Sequence, residues 1–138
     1  MLSETQRQLH RALVERIAPA DDWPGAWEAG AEAYLQRQLA GDLAAWQATF
    51  ERLLAAIDAE AHHVHGQSFT ALSAPAQDAL LLACESSEND LLSTGFRRLV
   101  EVTLEGFYAD PANGGNAGAV SWRMIGYEPD PKRRPVCD

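Results

Sequence analysis

The feature that most constrains the fold is a run in the first half of the chain. Leu43, Trp46, Phe50, Leu53 and Ile57 recur in alternating steps of three and four, with Leu54 and Ala61 widening the stripe. Such spacing puts large apolar side chains on one side of an α-helix and nowhere else, so the segment predicts a core helix that other helices must cover.

The remaining segments supply those partners. Ser3 followed by Gln6 reads as a capping box, and Leu9, Leu13 and Ile17 then share one face of a first helix. Pro19 and Pro24 end it and frame a loop. Pro24 and Gly25 open a second helical stretch in which Trp27, Ala31, Tyr34, Leu35 and Leu39 keep helical spacing up to Gly41, after which Asp42 is placed to cap the core helix. Gly66 to Thr70 breaks the pattern. Ser73 and Pro75 then start a short helix carrying Leu80, Leu81, Leu82 and Cys84, and Ser86 to Asn89 reads as a turn. Leu92, Phe96, Leu99, Thr103 and Phe107 give a fifth stripe that stops at Asp110 and Pro111.

Beyond that point the composition changes. Pro111 to Gly118 is a glycine and asparagine loop needing left-handed or extended backbone, and Trp122 to Tyr127 is apolar again. No alternating strand pairs and no internal repeat are present. The fold class is therefore all-α: a single bundle of about five helices with an irregular Gly/aromatic C-terminal extension, residues 1–128, followed by a flexible Pro/basic tail, 129–138. At 138 residues, 46% hydrophobic and 22% charged, the chain is long enough to bury a proper core.

Charge and cysteine usage exclude several classes of partner. A net charge of -9 repels phosphate backbones and anionic lipid head groups, so neither nucleic acid nor a membrane surface is expected as a partner. Lys132, Arg133 and Arg134 lie between prolines in the tail as a solvated charge run. Cys84 and Cys137 form neither a disulfide framework nor a Cys-x-x-Cys motif, and no run of 18 apolar residues occurs for membrane insertion. The start of the chain lacks a signal-peptide apolar region, so as written the protein is expected in the cytoplasm, with a periplasmic complex the alternative if a leader is missing.

The search for chemistry yields one metal candidate. Glu60, His62, His63 and His65 cluster near the end of the third helix, and Glu60 with His63 forms one Glu-x-x-His pair, where di-iron bundles use two together with further inward carboxylates. A solvated histidine cap at a helix C-terminus is the competing reading. The loop Asp110 to Asn116 fails as a calcium loop, because Ala112 and Gly114 occupy positions that need oxygen ligands, and its glycines match no phosphate-binding pattern. Glu101 and Glu105 share a face at four-residue spacing, which could serve acid/base chemistry but is more commonly a negative helix surface. No catalytic constellation and no cofactor site is expected in this chain.

Two blocks remain unexplained by a plain bundle: Glu105-Gly-Phe-Tyr-Ala-Asp-Pro-Ala-Asn-Gly-Gly-Asn116 and Trp122-Arg-Met-Ile-Gly-Tyr127. Together they resemble the signature of the small subunit, subunit 3 or gamma, of gluconate 2-dehydrogenase and related sugar dehydrogenases. Leu13 to Pro19 running into Pro24-Gly25-Ala26, and Phe69-Thr-Ala-Leu72, extend the resemblance over most of the chain. It implies a non-catalytic subunit that pairs with a large flavoprotein oxidising a sugar or sugar acid, and often with a multihaem cytochrome c. FAD and haem would belong to those partners. The resemblance further implies a role in maturation and export, frequently through a twin-arginine signal that this sequence does not carry.

Residues expected at such an interface are Glu105, Gly106, Phe107, Tyr108, Asp110, Pro111, Gly114, Gly115, Asn116, Trp122, Ile125, Gly126 and Tyr127. Large amphipathic aromatics anchor interfaces, yet about half of these aromatics are equally expected to fold the extension back onto the bundle, with glycines allowing close backbone approach. A small metal-binding helical protein using the histidine cluster and a stand-alone homo-oligomeric domain are the alternatives.

Overall fold

A computed structural model describes residues 2–127, with the backbone alone of Asn113. The basic tail and Cys137 lie outside the described residues. The described residues form six α-helices: α1 (Glu4–Ile17), α2 (Ala31–Leu39), α3 (Gln47–His65), α4 (Ala74–Glu85), α5 (Asp90–Tyr108) and a short α6 (Val120–Met124). No strand occurs among the described residues.

The helix starts follow their capping chemistry. Ser3 and Gln6 close the capping box reciprocally, at 2.8 and 3.1 Å. The Ser73 hydroxyl accepts from the Ala76 amide and the Asn89 side chain from the Leu91 amide, each satisfying an orphan donor at the head of α4 or α5.

α5 is the central element, packing on α1, α2, α3 and α4. The main core joins Leu9 and Leu13 of α1, Leu35 of α2, Phe50, Leu53, Leu54 and Ile57 of α3, Leu80, Leu81 and Cys84 of α4, and Leu92, Phe96, Leu99 and Val102 of α5. Full burial of Phe50 alone is worth about 2–3 kcal/mol. Gly95 lets α5 settle onto α3, since a Cβ there would stand 3.1 Å from Leu53.

Three local expectations are corrected. α2 begins at Ala31 and not at Pro24, because residues 26–29 form turns that are pinned from both ends. A Cβ on Gly25 would come within 2.6 Å of the Ala18 carbonyl, and Gly30 sits at φ +97, a left-handed conformation that breaks a helix. Asp42 does not cap α3. Leu43 and Trp46 instead belong to a short 3-10 approach, and Trp46 occupies the cap position with no side-chain hydrogen bond. The C-terminal extension, expected to be irregular, contains two 3-10 turns (Pro111–Asn113 and Ala117–Ala119) and α6.

The extension completes a second, smaller core. Ala26 and Ala29 from the α1–α2 connection and Ala31 at the head of α2 meet Val14, Phe107 and Val120, all buried. The expectation that α5 gives way at Asp110 and Pro111 holds: Ala109 is extended, and the Asp110 side chain accepts from the Ala112 amide at 3.0 Å to start the next turn.

Candidate functional site

Residues 105–127 form a strap that leaves α5, crosses the head of α2 and returns beside the end of α5. What fastens it is a set of backbone contacts at small residues. Gly106 presents its open side to the Tyr34 ring, where a Cβ would lie 2.7 Å from ring carbons. Gly115 rests on the backbone of Gly106, and a Cβ on Gly115 would stand 2.9 Å from the Gly106 carbonyl carbon. On the α2 side the Ala117 amide donates to the Ala29 carbonyl at 2.7 Å and the Arg37 guanidinium donates to the Ala112 carbonyl at 2.7 Å.

Asn116 is the hub of the strap. It is wholly buried and left-handed, at φ 51. Its amide nitrogen donates to the Ala109 carbonyl at 2.8 Å, while its oxygen accepts from both the amide and the hydroxyl of Ser121, at 2.9 and 2.8 Å. One side chain thus ties the end of α5 to the start of α6, and the amide orientation is fixed because a carbonyl faces one end and two donors the other.

With the backbone so fixed, the strap's apolar side chains divide into two sets. Phe107 is buried in the second core with Val120. Tyr108, Ile125 and Tyr127 point outward, with exposures of 46%, 59% and 51%, as does Leu104 of α5 just before the strap, at 38%. The half-buried Trp122 joins the two halves of this ridge: its indole N–H donates to the Tyr108 carbonyl at 3.0 Å, and its ring meets Tyr127 edge-on at 5.2 Å.

Of the residues named from sequence, Gly106, Phe107, Gly115 and Asn116 are buried and fasten the strap internally. Glu105, Tyr108, Ile125, Gly126 and Tyr127 are exposed, and Asp110, Pro111, Gly114 and Trp122 lie partly covered between them. Glu105 lies near Tyr34, whose hydroxyl is pushed above its ordinary range by burial first and by that carboxylate second.

The histidine cluster is not drawn together. His62, His63 and His65 are all exposed in the last turn of α3, and among the described residues no three His, Cys, Asp or Glu side chains converge as metal ligands. Asp58, beside them, is engaged elsewhere, accepting from the Ser68 hydroxyl and the Phe69 amide at 2.8 and 2.9 Å while lying 3.6 Å from His62. That pairing seats Phe69 in the core. The Cys84 thiol, buried and next to the charge of Glu60, is pushed up to about 11, which keeps it a protonated packing group at neutral pH.

An open groove of about 720 Å³ lies between α3 and α5, lined by Trp46, Thr49, Arg52, Leu91, Thr94 and Arg98 among others. It offers cationic and apolar contacts together with the Asp90 carboxylate and the hydroxyls of Thr49 and Thr94.

The residue that sequence reading passed over is His10. It stands outside the Leu9, Leu13, Ile17 row, on the neighbouring face with Val14, and is 1% exposed. Its position three residues after Arg7, inside the apolar flank of α1, was the only available signal.

A family model described as Gluconate 2-dehydrogenase subunit 3 matches residues 4–129, most of the chain. No curated protein and no solved structure matches it.

Proposed function

The chain belongs to the gluconate 2-dehydrogenase subunit 3 family, and from that membership we propose that it is a non-catalytic subunit that docks on the flavoprotein of an FAD-dependent sugar or sugar-acid dehydrogenase. The observation that carries this reading is the ridge Leu104, Tyr108, Ile125 and Tyr127. A chain that can bury Phe50 and Phe69 completely leaves Tyr108, Ile125 and Tyr127 of the strap exposed, together with Leu104 of α5 immediately before it. Exposed apolar side chains grouped on a rigid support mark a protein interface, and tyrosine supplies large contact area at little cost in rotamer freedom.

In this reading FAD resides in the flavoprotein, and haem in a cytochrome where the complex has one. The small subunit contributes surface and not chemistry, stabilising the folded flavoprotein by binding it and not its unfolded form. No helix among the described residues is long and apolar enough to cross a membrane.

Coexpression with the large flavoprotein subunit of the same genome tests the proposal. The two chains are expected to coelute on size exclusion, with more soluble, flavin-loaded large subunit than when it is made alone. Tyr108→Ala and Tyr127→Ala are each expected to weaken the complex about tenfold while leaving the melting temperature of the isolated chain within a few degrees. Separate elution of the two wild-type chains, with unchanged flavin content, would sink the assignment.

A further inference from the structure

His10 is held in an unusual place for an ionisable side chain. Its ring is nearly perpendicular to those of Trp27 and Phe50, each with its centroid 5.4 Å away. Among the described residues its Nδ1 is the one buried side-chain polar atom with no hydrogen-bond partner. Trp27 belongs to the turn between α1 and α2, and that turn is where the strap docks: Ala29 accepts the Ala117 amide, and Gly30 abuts the Gly114 carbonyl. The same turn supplies Ala26 and Ala29 to the small core shared with Phe107 and Val120.

We propose that His10 is an acid-sensitive latch, whose protonation drives the imidazole out from between Trp27 and Phe50 and so loosens the turn at residues 26–30 together with the strap docked on it. The inference rests on the proposed function only in calling the released strap a partner surface.

The physical argument begins with the cation that protonation creates. An imidazolium has two N–H donors, and Nδ1 finds no acceptor among the groups packed on it, the rings of Trp27 and Phe50 included. Phe50 of α3 and Trp27 of the turn bring no carboxylate to the ring. The charges around Trp27 on α1 are Arg7 and Arg11, stacked on its indole at 5.7 and 5.9 Å, and both oppose a further cation. Their own partners are Glu32 and Glu4 for Arg7, and Glu15, with Glu28, for Arg11.

Burial accordingly pulls the imidazole down from 6.5 to about 4. The closed state holds His10 neutral, whereas a state that exposes it takes up a proton below pH 6.5. Closure is therefore fully favoured above that value and weakens progressively as pH falls toward 4, where the loss levels off.

The test uses the isolated chain and needs no flavoprotein. Amide exchange of Ala117 and indole exchange of Trp122 are followed by NMR at pH 7.5 and 4.5, corrected for intrinsic exchange rates, in wild type and in His10→Leu. Wild-type protection at Ala117 is expected to fall at least about tenfold on acidification, and the variant to stay flat. Retained protection in wild type, or an equal loss in His10→Leu, overturns the latch. Should the variant fail to fold, the His10 ring resonances of the wild type decide the matter. Charging of the ring that coincides with loss of Ala117 protection supports the proposal, and charging with protection intact refutes it. Failure here leaves the docking role standing, and failure to bind a flavoprotein leaves this measurement unaffected.

Discussion

Gly115→Ala is expected to unfasten the strap while the other five helices stay folded. The added methyl would meet the carbonyl carbon and Cα of Gly106 at 2.9 and 3.1 Å, and backbone atoms cannot rotate aside as a side chain can. Relieving that contact requires either α5 or the strap to move, and the two are unequally held. α5 packs against four other helices across the main core. The strap is held by a few hydrogen bonds, each worth about 1 kcal/mol net, and by the small core around Phe107 and Val120. An overpacking penalty of about 1–3 kcal/mol is of the same order as the strap's attachment and far below that of the bundle. Circular dichroism should retain the signal of α1 to α5, the indole of Trp122 should become solvent-exposed by fluorescence, and the melting midpoint should fall by about 5–10 °C. An unchanged midpoint with a protected indole would show that the glycine contact does not fasten the strap.

Asn116→Asp is expected to destabilise the protein by about 3 kcal/mol at neutral pH, although it changes a single NH2 to O. The aspartate keeps an acceptor for Ser121 but turns a second oxygen toward the Ala109 carbonyl, so a hydrogen bond becomes a repulsion between two acceptors at a site with no solvent contact. Ionisation there is also opposed by burial, which raises the folded-state pKa of the new carboxyl above its unfolded value. The sign follows directly. The unfolded chain ionises freely above about pH 4 while the folded one resists, so the loss is largest at neutral pH and shrinks as the carboxyl is protonated. Urea denaturation of the variant and wild type at pH 7.5 and 5 should show the gap closing toward acid. A gap that widens toward acid would contradict the role assigned to Asn116.

The helices were legible in the sequence where periodicity and caps agreed. Leu9, Leu13 and Ile17 behind the Ser3 box, and the Phe50, Leu53, Ile57 row, gave α1 and the body of α3 because those residues encode their own burial and their own end. The start of α2 was not legible. Trp27 and Ala31 keep helical spacing, but the turn they straddle is fixed by Gly25 lying against the Ala18 carbonyl and by Gly30 lying against that of Gly114, the latter far along the chain.

The candidate site was legible as a segment and not in its division of labour. Thirteen residues were named together from two blocks, yet Asn116 and Gly115 act inward and Tyr108 and Tyr127 outward. That sorting depends on a left-handed Asn116 and on the path of α6, neither of which leaves a periodic trace. His10 escaped for a related reason. A histidine on an amphipathic helix reads as polar until the opposing surface is known to be Trp27 and Phe50.

The most direct measurement is hydroxyl-radical footprinting of the coexpressed complex against the isolated chain, read at individual side chains. Docking through the strap gives a several-fold fall in oxidation of Tyr108 and Tyr127 on complex formation, with Leu82 of α4, 68% exposed, unchanged. Equal oxidation of Tyr108 and Tyr127 in the free and bound chain would contradict it.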